Sequence, residues 1–458
     1  MGRNILLIYP DPDEEKECRF GYSLSLLYLA SILRQAGDAC QLLDLSYEAC
    51  SADSFRDRVL WADVIIVEFD SFPLKRASNS TSGLELVNAI NGLCQVPVIA
   101  FGHECVIRQK AVPGAVVTYV TEPESSILAT VDAVVRRKQQ PPCIAQSGTL
   151  QDMDLLPLPA RDLLPEPVLY GQTRWRMAHL ARSALIETSR GCMNTCRFCQ
   201  RHGWSSSYRA HSVEYSLLEF EELAKEQYVN VWITDDNFCF NLPRAKSLLR
   251  GLAKKGVTRG MSLALSSWTR IDFETLELAH SARVKILSFG IESADSAIMH
   301  FYDKRIDLSH TRELIKAADA LGQYTVANVI VGAPMESEDT IRSTFDYVLS
   351  VPFDEVNVKI LNYMPGAPLY SELPAAMQEG ARDVFACAEN GLCRIPRDEL
   401  KARCDNFTRF FKAARAPRLS AKLTKCGPPY AVLRMERVMH NGESPLPWAR
   451  NAARGGGD

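Results

Sequence analysis

Two stretches of this chain alternate short apolar runs with helical patterns, and a third does not. Over residues 1–137 the runs are 5–9 (ILLIY), 40–45, 64–69 (VIIVEF), 96–101 (VPVIAF) and 115–120 (AVVTYV). Helical periodicity fills 22–36, closed by Gly37, then 82–93 and 125–137. Near-continuous β-branched runs joined by helices predict a five-stranded, doubly wound parallel sheet covered on both faces. Ligands bind such sheets at the carboxyl ends of the strands. Those ends carry Pro10-Asp11-Pro12, Glu68-Phe69-Asp70, Gly102-His103-Glu104 and Thr121-Glu122-Pro123-Glu124.

Residues 138–180 gather Pro141, Pro142, Pro157, Pro159, Pro165 and Pro167, which disfavours helix and central strand and predicts a linker. A second series follows within 181–365. Its strands read at about 183–188, 230–235, 261–266, 285–291, 325–331 and 356–361, with helices near 214–227, 243–255, 273–281, 308–321 and 337–350. Six β/α units in one direction predict a partial (β/α)6 TIM-type barrel, again functional at its carboxyl edge. Residues 366–458 lose that rhythm and read as a small, mainly helical region, with no order expected for the final Arg454–Asp458. The fold class is therefore α/β.

Composition narrows the classes. The 458 residues are 47% apolar and 23% charged, with 52 Lys+Arg against 55 Asp+Glu and a net charge of −3. That is an ordinary globular balance and excludes disordered, collagen-like and coiled-coil chains. The longest apolar stretch, Leu24 to Leu33, is broken by Ser25 and Ser31 and is too short to span a bilayer. The N-terminal Asn4–Pro10 reads as a buried strand rather than a secretion signal. Fourteen cysteines without such a signal point to a reducing cytoplasm, where they act as thiols or metal ligands.

The sharpest chemical signal is Arg190-Gly191-Cys192-Met193-Asn194-Thr195-Cys196-Arg197-Phe198-Cys199, a C-x3-C-x2-C loop directly after the first strand of the second series. Three thiolates on one short loop hold three corners of a cubane iron–sulfur cluster and leave one iron open. Gly191 suits a backbone that curls tightly around inorganic sulfide. Two alternatives stand beside this: a Cys3His zinc site completed by His202, and inert buried thiols.

This loop and the six β/α units resemble the radical S-adenosylmethionine (SAM) superfamily over about 183–363. The resemblance implies a [4Fe-4S] cluster on Cys192, Cys196 and Cys199, with SAM chelating the open iron. Reductive cleavage there yields a 5′-deoxyadenosyl radical that abstracts hydrogen from substrate, with a donor such as flavodoxin or ferredoxin supplying the electron. It also implies SAM contacts. Asp235, Asp236 and Asn237 would engage the amino group. Ser266 and Arg270 would meet the ribose and carboxylate, and Glu292 with Ser293 the ribose. Gly332, Asn328, Leu361, Asn362 and Phe198 would lie near the adenine. For each, a helix cap or a turn is the bland alternative.

A doubly wound domain ahead of such a barrel resembles the cobalamin-binding class of that superfamily. Gly21–Ala30 is similar to the class's first helix and Asp154–Arg161 to its linker. The resemblance implies cobalamin at the sheet edge, near Gly102, His103 and Glu122, and a methyl transfer from it to an unactivated carbon. No D-x-H-x-x-G motif is present, and the usual glycine-rich strand ends are altered. A sheet that only scaffolds is the alternative.

The expected substrate is a small molecule or peptide, with neither membrane nor nucleic acid as partner. A ring contraction, cyclisation or other rearrangement is the alternative reaction. From Arg394 onward there are 14 Lys+Arg and 6 Asp+Glu, which reads as a solvated helical face, with attraction of an acidic substrate, a leader peptide or RNA as the alternative. Phe407, Phe410 and Phe411 fit that helix's buried side. Cys387, Cys393, Cys404 and Cys426 match no compact ligand spacing and read as ordinary thiols.

Overall fold

The computed structural model describes residues 2–11, 13, 21–48, 50–70, 79–136, 141–164, 182–203, 207–268, 271–378 and 384–427, with backbone alone for 266–268. The chain opens with β1 (Asn4–Tyr9), α1 (Leu24–Gln35), β2 (Ala39–Asp44), α2 (Ala52–Trp61), β3 (Val64–Glu68) and α3 (Ser80–Leu93). It continues through β4 (Val98–Phe101), α4 (His103–Arg108), β5 (Val117–Tyr119), α5 (Ile127–Arg136) and β6 (Cys143–Ala145). These strands form one parallel sheet in the order β2-β1-β3-β4-β5-β6.

The unbroken apolar run of β1 is explained by two cores. Ile5, Leu7 and Tyr9 enter the core beneath α1 and α5, whereas Leu6 and Ile8 enter the one beneath α2 and α3. Alternate residues of a strand face opposite ways, so a strand buried on both sides has no polar position to spare.

The sheet has six strands, not the five expected. The sixth comes from the proline-rich segment read as linker. Pro141 and Pro142 favour extended backbone, and Cys143 pairs with Val117 on the open edge of β5.

The second sheet is built from β7 (Ser183–Ile186), β8 (Ser189–Arg190), β9 (Arg209–Ala210), α6 (Val213–Lys225), β10 (Asn230–Ile233), α7 (Leu242–Lys255) and β11 (Ser262–Trp268). It goes on with α8 (Phe273–Ser281), β12 (Val284–Glu292), α9 (Ser296–Phe301), α10 (Leu308–Ala320), β13 (Tyr324–Val331), α11 (Glu338–Ser350) and β14 (Glu355–Ile360). Six strands run parallel in the order β7-β10-β11-β12-β13-β14, so β7 and β14 are the edges of a partial barrel. Each barrel helix starts where a short polar side chain accepts a backbone N–H: Ser212, Asn241, Asp272, Asp295, Asp307 and Ser337. Such caps contribute about 1 kcal/mol each.

The C-terminal region comprises β15 (Asn362–Tyr363), α12 (Pro368–Ser371), α13 (Ala375–Gln378), β16 (Val384–Phe385) and α14 (Arg397–Cys426). β15 and β16 pair antiparallel, and α14 packs along β14. Its basic residues divide: Arg397, Lys401, Arg409, Lys412 and Lys425 are exposed, as a solvated face would have them, whereas others are engaged by the barrel. Arg415 donates to the carbonyls of Leu349 and Val351, Arg418 to Asp354 and Asp319, and Lys422 to Asp319 and Asp354. Phe407 and Phe411 are buried as expected, but Phe410 is 59% exposed. Among the described residues no helix is long and apolar enough to cross a membrane.

Candidate active site

The cysteine loop leaves β8 and returns as β9, whose antiparallel pairing closes its base. The carboxyl end of β10 holds the loop from below. Asp235 is buried and accepts from the Thr188 N–H, the Thr188 hydroxyl and the Ser189 hydroxyl, each at 2.6 Å. Asp236 accepts from the Gly191 N–H at 2.8 Å and pairs with Arg201. Asn237 donates to the Cys192 sulfur at 3.7 Å. These three, which the family resemblance puts near a ligand amino group, bond to the cysteine loop and the strand before it. Gly191 has φ +95°, a backbone state that glycine adopts without strain.

Arg197 pins the loop's far side. It donates to the Phe301 carbonyl at 2.9 Å and pairs with Glu372 at 2.6 Å, while the Arg197 carbonyl accepts from the Leu369 N–H. Phe198 meets the Tyr302 ring edge-on at 5.2 Å.

A cation that sequence reading missed sits beside the thiols. Lys304 is buried, with its ammonium 3.2 Å from Glu292. Burial lowers its pKa, but Glu292 and the thiols of Cys196 and Cys199 outweigh that and hold it protonated. Burial pushes the Cys196 thiol up to about 11, with Lys304 opposing. A Cβ at Gly290 would crowd the Glu292 carboxylate and the Lys304 ammonium, so glycine leaves room for the pair as it stands. Glu292 itself has φ +59°.

The other expected contacts divide. Ser293 is buried and bonds toward Thr344 of α11 at 3.2 Å. Asn328 donates to Ser288 at 2.7 Å and accepts from Asn357, a polar ladder across β12, β13 and β14. Gly332 has φ +101°, and its N–H donates to Glu336. The carbonyl of Leu361, expected to face an adenine, accepts from the Ala386 N–H at 2.8 Å. Phe198, Leu361 and Asn362 share the wall of a cavity of about 720 Å³ with residues of β14, β16 and α14. Arg270 and the side chain of Ser266 lie outside the described residues.

The first sheet meets this mouth with its carboxyl edge. Arg190, the residue before Gly191, is buried among Glu124 at 2.8 Å, Glu187 at 2.7 Å and Glu122 at 3.3 Å. Glu122 also pairs with Arg209 at 2.6 Å. Burial pushes the Glu187 carboxyl up to about 8 even beside Arg190. Glu122, expected at a cobalamin, thus ties the two sheets together. Gly102 has φ +125°, and a Cβ there would collide with the carbonyls of Phe69 and Asp70, so its glycine answers packing inside the sheet. His103 is buried, and its N–H donates to the Asp70 carbonyl at 3.1 Å. Ile107 of the same short helix lies against Gly366.

A second clamp lies behind the barrel. Arg161 donates to the Tyr22 hydroxyl at 2.9 Å and the Leu185 carbonyl at 2.7 Å, and pairs with Glu219.

The donor set fits an anionic cluster. Three thiols share one loop, none is in a disulfide, and two cations, Lys304 and Arg201, face them. His202, the fourth ligand of the zinc alternative, is exposed. Among the described residues no three His, Cys, Asp or Glu side chains are gathered closely enough for a single metal ion. For cobalamin the fit is coarser: the sheet edge faces the mouth, but Gly102 and Glu122 have partners within the protein.

Residues 186–348 match the family model of the Radical SAM superfamily. An uncharacterised methyltransferase of Pyrococcus horikoshii is 24% identical over 399 residues, covering 80% of this chain and 82% of that one. Cytidylyl-2-hydroxyethylphosphonate methyltransferase of Streptomyces wedmorensis is 28% identical over 225 residues, 47% of this chain and 40% of that protein, so less than half its length is spanned. Among solved structures, TsrM of Kitasatospora setae, a radical SAM methyltransferase with cobalamin and a [4Fe-4S] cluster bound, superposes with a TM-score of 0.64 at 16% identity over 81% of this chain and 78% of that one. OxsB, a cobalamin-dependent SAM radical enzyme, gives 0.67 at 15% identity over 88% and 66%. At such identity the likeness is one of fold.

Proposed function

We propose that this chain, a radical SAM enzyme by its core domain, methylates an unactivated carbon of a small molecule or peptide. It would use a [4Fe-4S] cluster on Cys192, Cys196 and Cys199, SAM, and a cobalamin at the carboxyl edge of the first sheet. One observation carries the reading: three free thiols and two cations, Lys304 and Arg201, stand at a barrel mouth onto which a doubly wound sheet is docked. When bound, these groups supply a hydrogen-abstracting radical and a methyl group.

The chain's own residues do the positioning. Asp235, Asp236 and Arg197 fix the loop. The Lys304 ammonium, held by Glu292, offers a positive charge to the cluster and to any carboxylate beside it. Phe198 and Tyr302 make an apolar wall, and β15, β16 and α14 shield the mouth from water.

Replacing any of the three loop cysteines by alanine is expected to abolish bound iron and 5′-deoxyadenosine release in anaerobic, reduced protein. The product of the intact enzyme should be heavier by one methyl group. An iron-containing, SAM-cleaving triple variant would overturn the proposal.

A second reading is supported by the protein partners of Gly102 and Glu122. In it the first sheet is only a scaffold and the reaction is a cyclisation or rearrangement. Cobalt-free active enzyme, with a product showing no added methyl, selects it.

A further inference from the structure

β14 is an edge of the barrel, and the cavity of about 720 Å³ runs along it beneath the first turns of α14. Its inner end lies in the barrel lumen. Asn328 and Asn357 bond to each other across β13 and β14, and Ile330 and Lys359 follow two residues later, in register. The two-residue strand period puts them on that same lumen face. Phe198, between two loop cysteines, closes this end. Phe385, Arg397 and Lys401 line the same cavity.

Of the exposed cations of α14, which include Arg409, Lys412 and Lys425, only Arg397 and Lys401 line the cavity. Arg403 pairs with Glu338 and Glu399, and Arg418 and Lys422 with Asp319 and Asp354. Arg397 and Lys401 are exposed, and among the described residues neither is in an ion pair. The Arg397 guanidinium instead lies over the Phe385 ring at 4.5 Å. A guanidinium held on an aromatic face keeps its planar fork of donors available and costs little to order. Asp398 and Asp405 share the wall with three cations, Lys359, Arg397 and Lys401. Asp398 lies in the helix's first turn, where the backbone dipole favours a carboxylate. The buried Cys404 thiol is pushed up to about 11, so it presents a neutral surface.

We propose that this channel beside β14 holds the substrate, and that the substrate carries an anionic group, a carboxylate or a phosphate, which Arg397 and Lys401 bind. Its apolar body lies against Phe385 and Met364 and reaches Phe198 beside the cysteine loop. This rests on the proposed reaction for its purpose, though not for the binding itself.

The test titrates the full-length, anaerobically prepared protein with three fluorescent probes: 1-naphthyl phosphate, 1-naphthoate and 1-naphthylmethylamine. The two anions are expected to bind at least about tenfold tighter than the amine, each tenfold corresponding to 1.4 kcal/mol. The Arg397→Gln/Lys401→Gln double variant should lose most of that preference. Arg397→Lys keeps the charge without the fork and should weaken naphthoate more than naphthyl phosphate. Arg409→Gln, an exposed change further along the same helix, controls for effects on α14. Equal binding of amine and anions overturns the proposal, as does a double variant of native melting temperature that binds the anions like the parent. The titration needs no turnover, so a preparation without iron would sink the proposed function and leave this result readable.

Discussion

His211 carries no proton at neutral pH in this fold. Its ring is fully buried, stacked on Tyr215 at 3.9 Å, with Nδ1 3.3 Å from Asp154. Burial, and then the charge of Arg190, depress its pKa from 6.5 to about 3 despite Asp154. Because the unfolded chain takes the proton first, stability is full above about pH 6.5 and declines as pH falls toward 3. The melting temperature of the parent should therefore drop from pH 6.5 to 5, and His211→Phe should flatten that slope. An unchanged slope would place the acid sensitivity elsewhere. At this scale the cysteine loop was readable from the sequence because its ligands are close neighbours in the chain. The role of Lys304 was not, because it depends on a left-handed Glu292 and a glycine two residues before it.

Elements show a similar division. The barrel helices begin where the sequence puts Ser, Asn or Asp before an apolar period, and those caps are local. α14 is different. Its periodicity is legible, but which residues its cations meet is not, since Asp319, in the last turn of α10, and Asp354, just before β14, lie far earlier in the chain. Asp354 is fully buried and takes both Arg418 and Lys422. Asp354→Ala leaves both cations with Asp319 as their remaining carboxylate and should cost about 2 kcal/mol in urea unfolding. α14 should become the first site of proteolysis. Resistance equal to the parent would show that the apolar contacts of Phe407 and Phe411 hold the helix unaided. Phe410 marks the limit of reading by composition: adjacent phenylalanines on a helix point in different directions, and 410 faces water.

Across the whole molecule, three arginines join the sheets: Arg161, Arg190 and Arg209. Arg161 lies between Tyr22, the Leu185 carbonyl and Glu219 beside an apolar patch that includes Leu24, Leu27, Tyr28, Leu156 and Leu164. Arg161→Met would leave Glu219 buried and uncompensated and should cost about 3–5 kcal/mol. The pairing of Arg161→Met with Glu219→Gln should recover part of that loss; no recovery would show that the hydroxyl and carbonyl bonds matter more. The two-sheet architecture, the helix starts and the thiol loop followed from chain order, because apolar periodicity, caps and short ligand spacing act between near neighbours. Which carboxylate meets which cation did not follow. Glu124 reaches Arg190 across 66 residues and Arg418 reaches Asp354 across 64, and charge alone does not choose among 55 acidic partners. Packing made that choice, and with it gave Asp235 and Glu122 the partners they have within the chain.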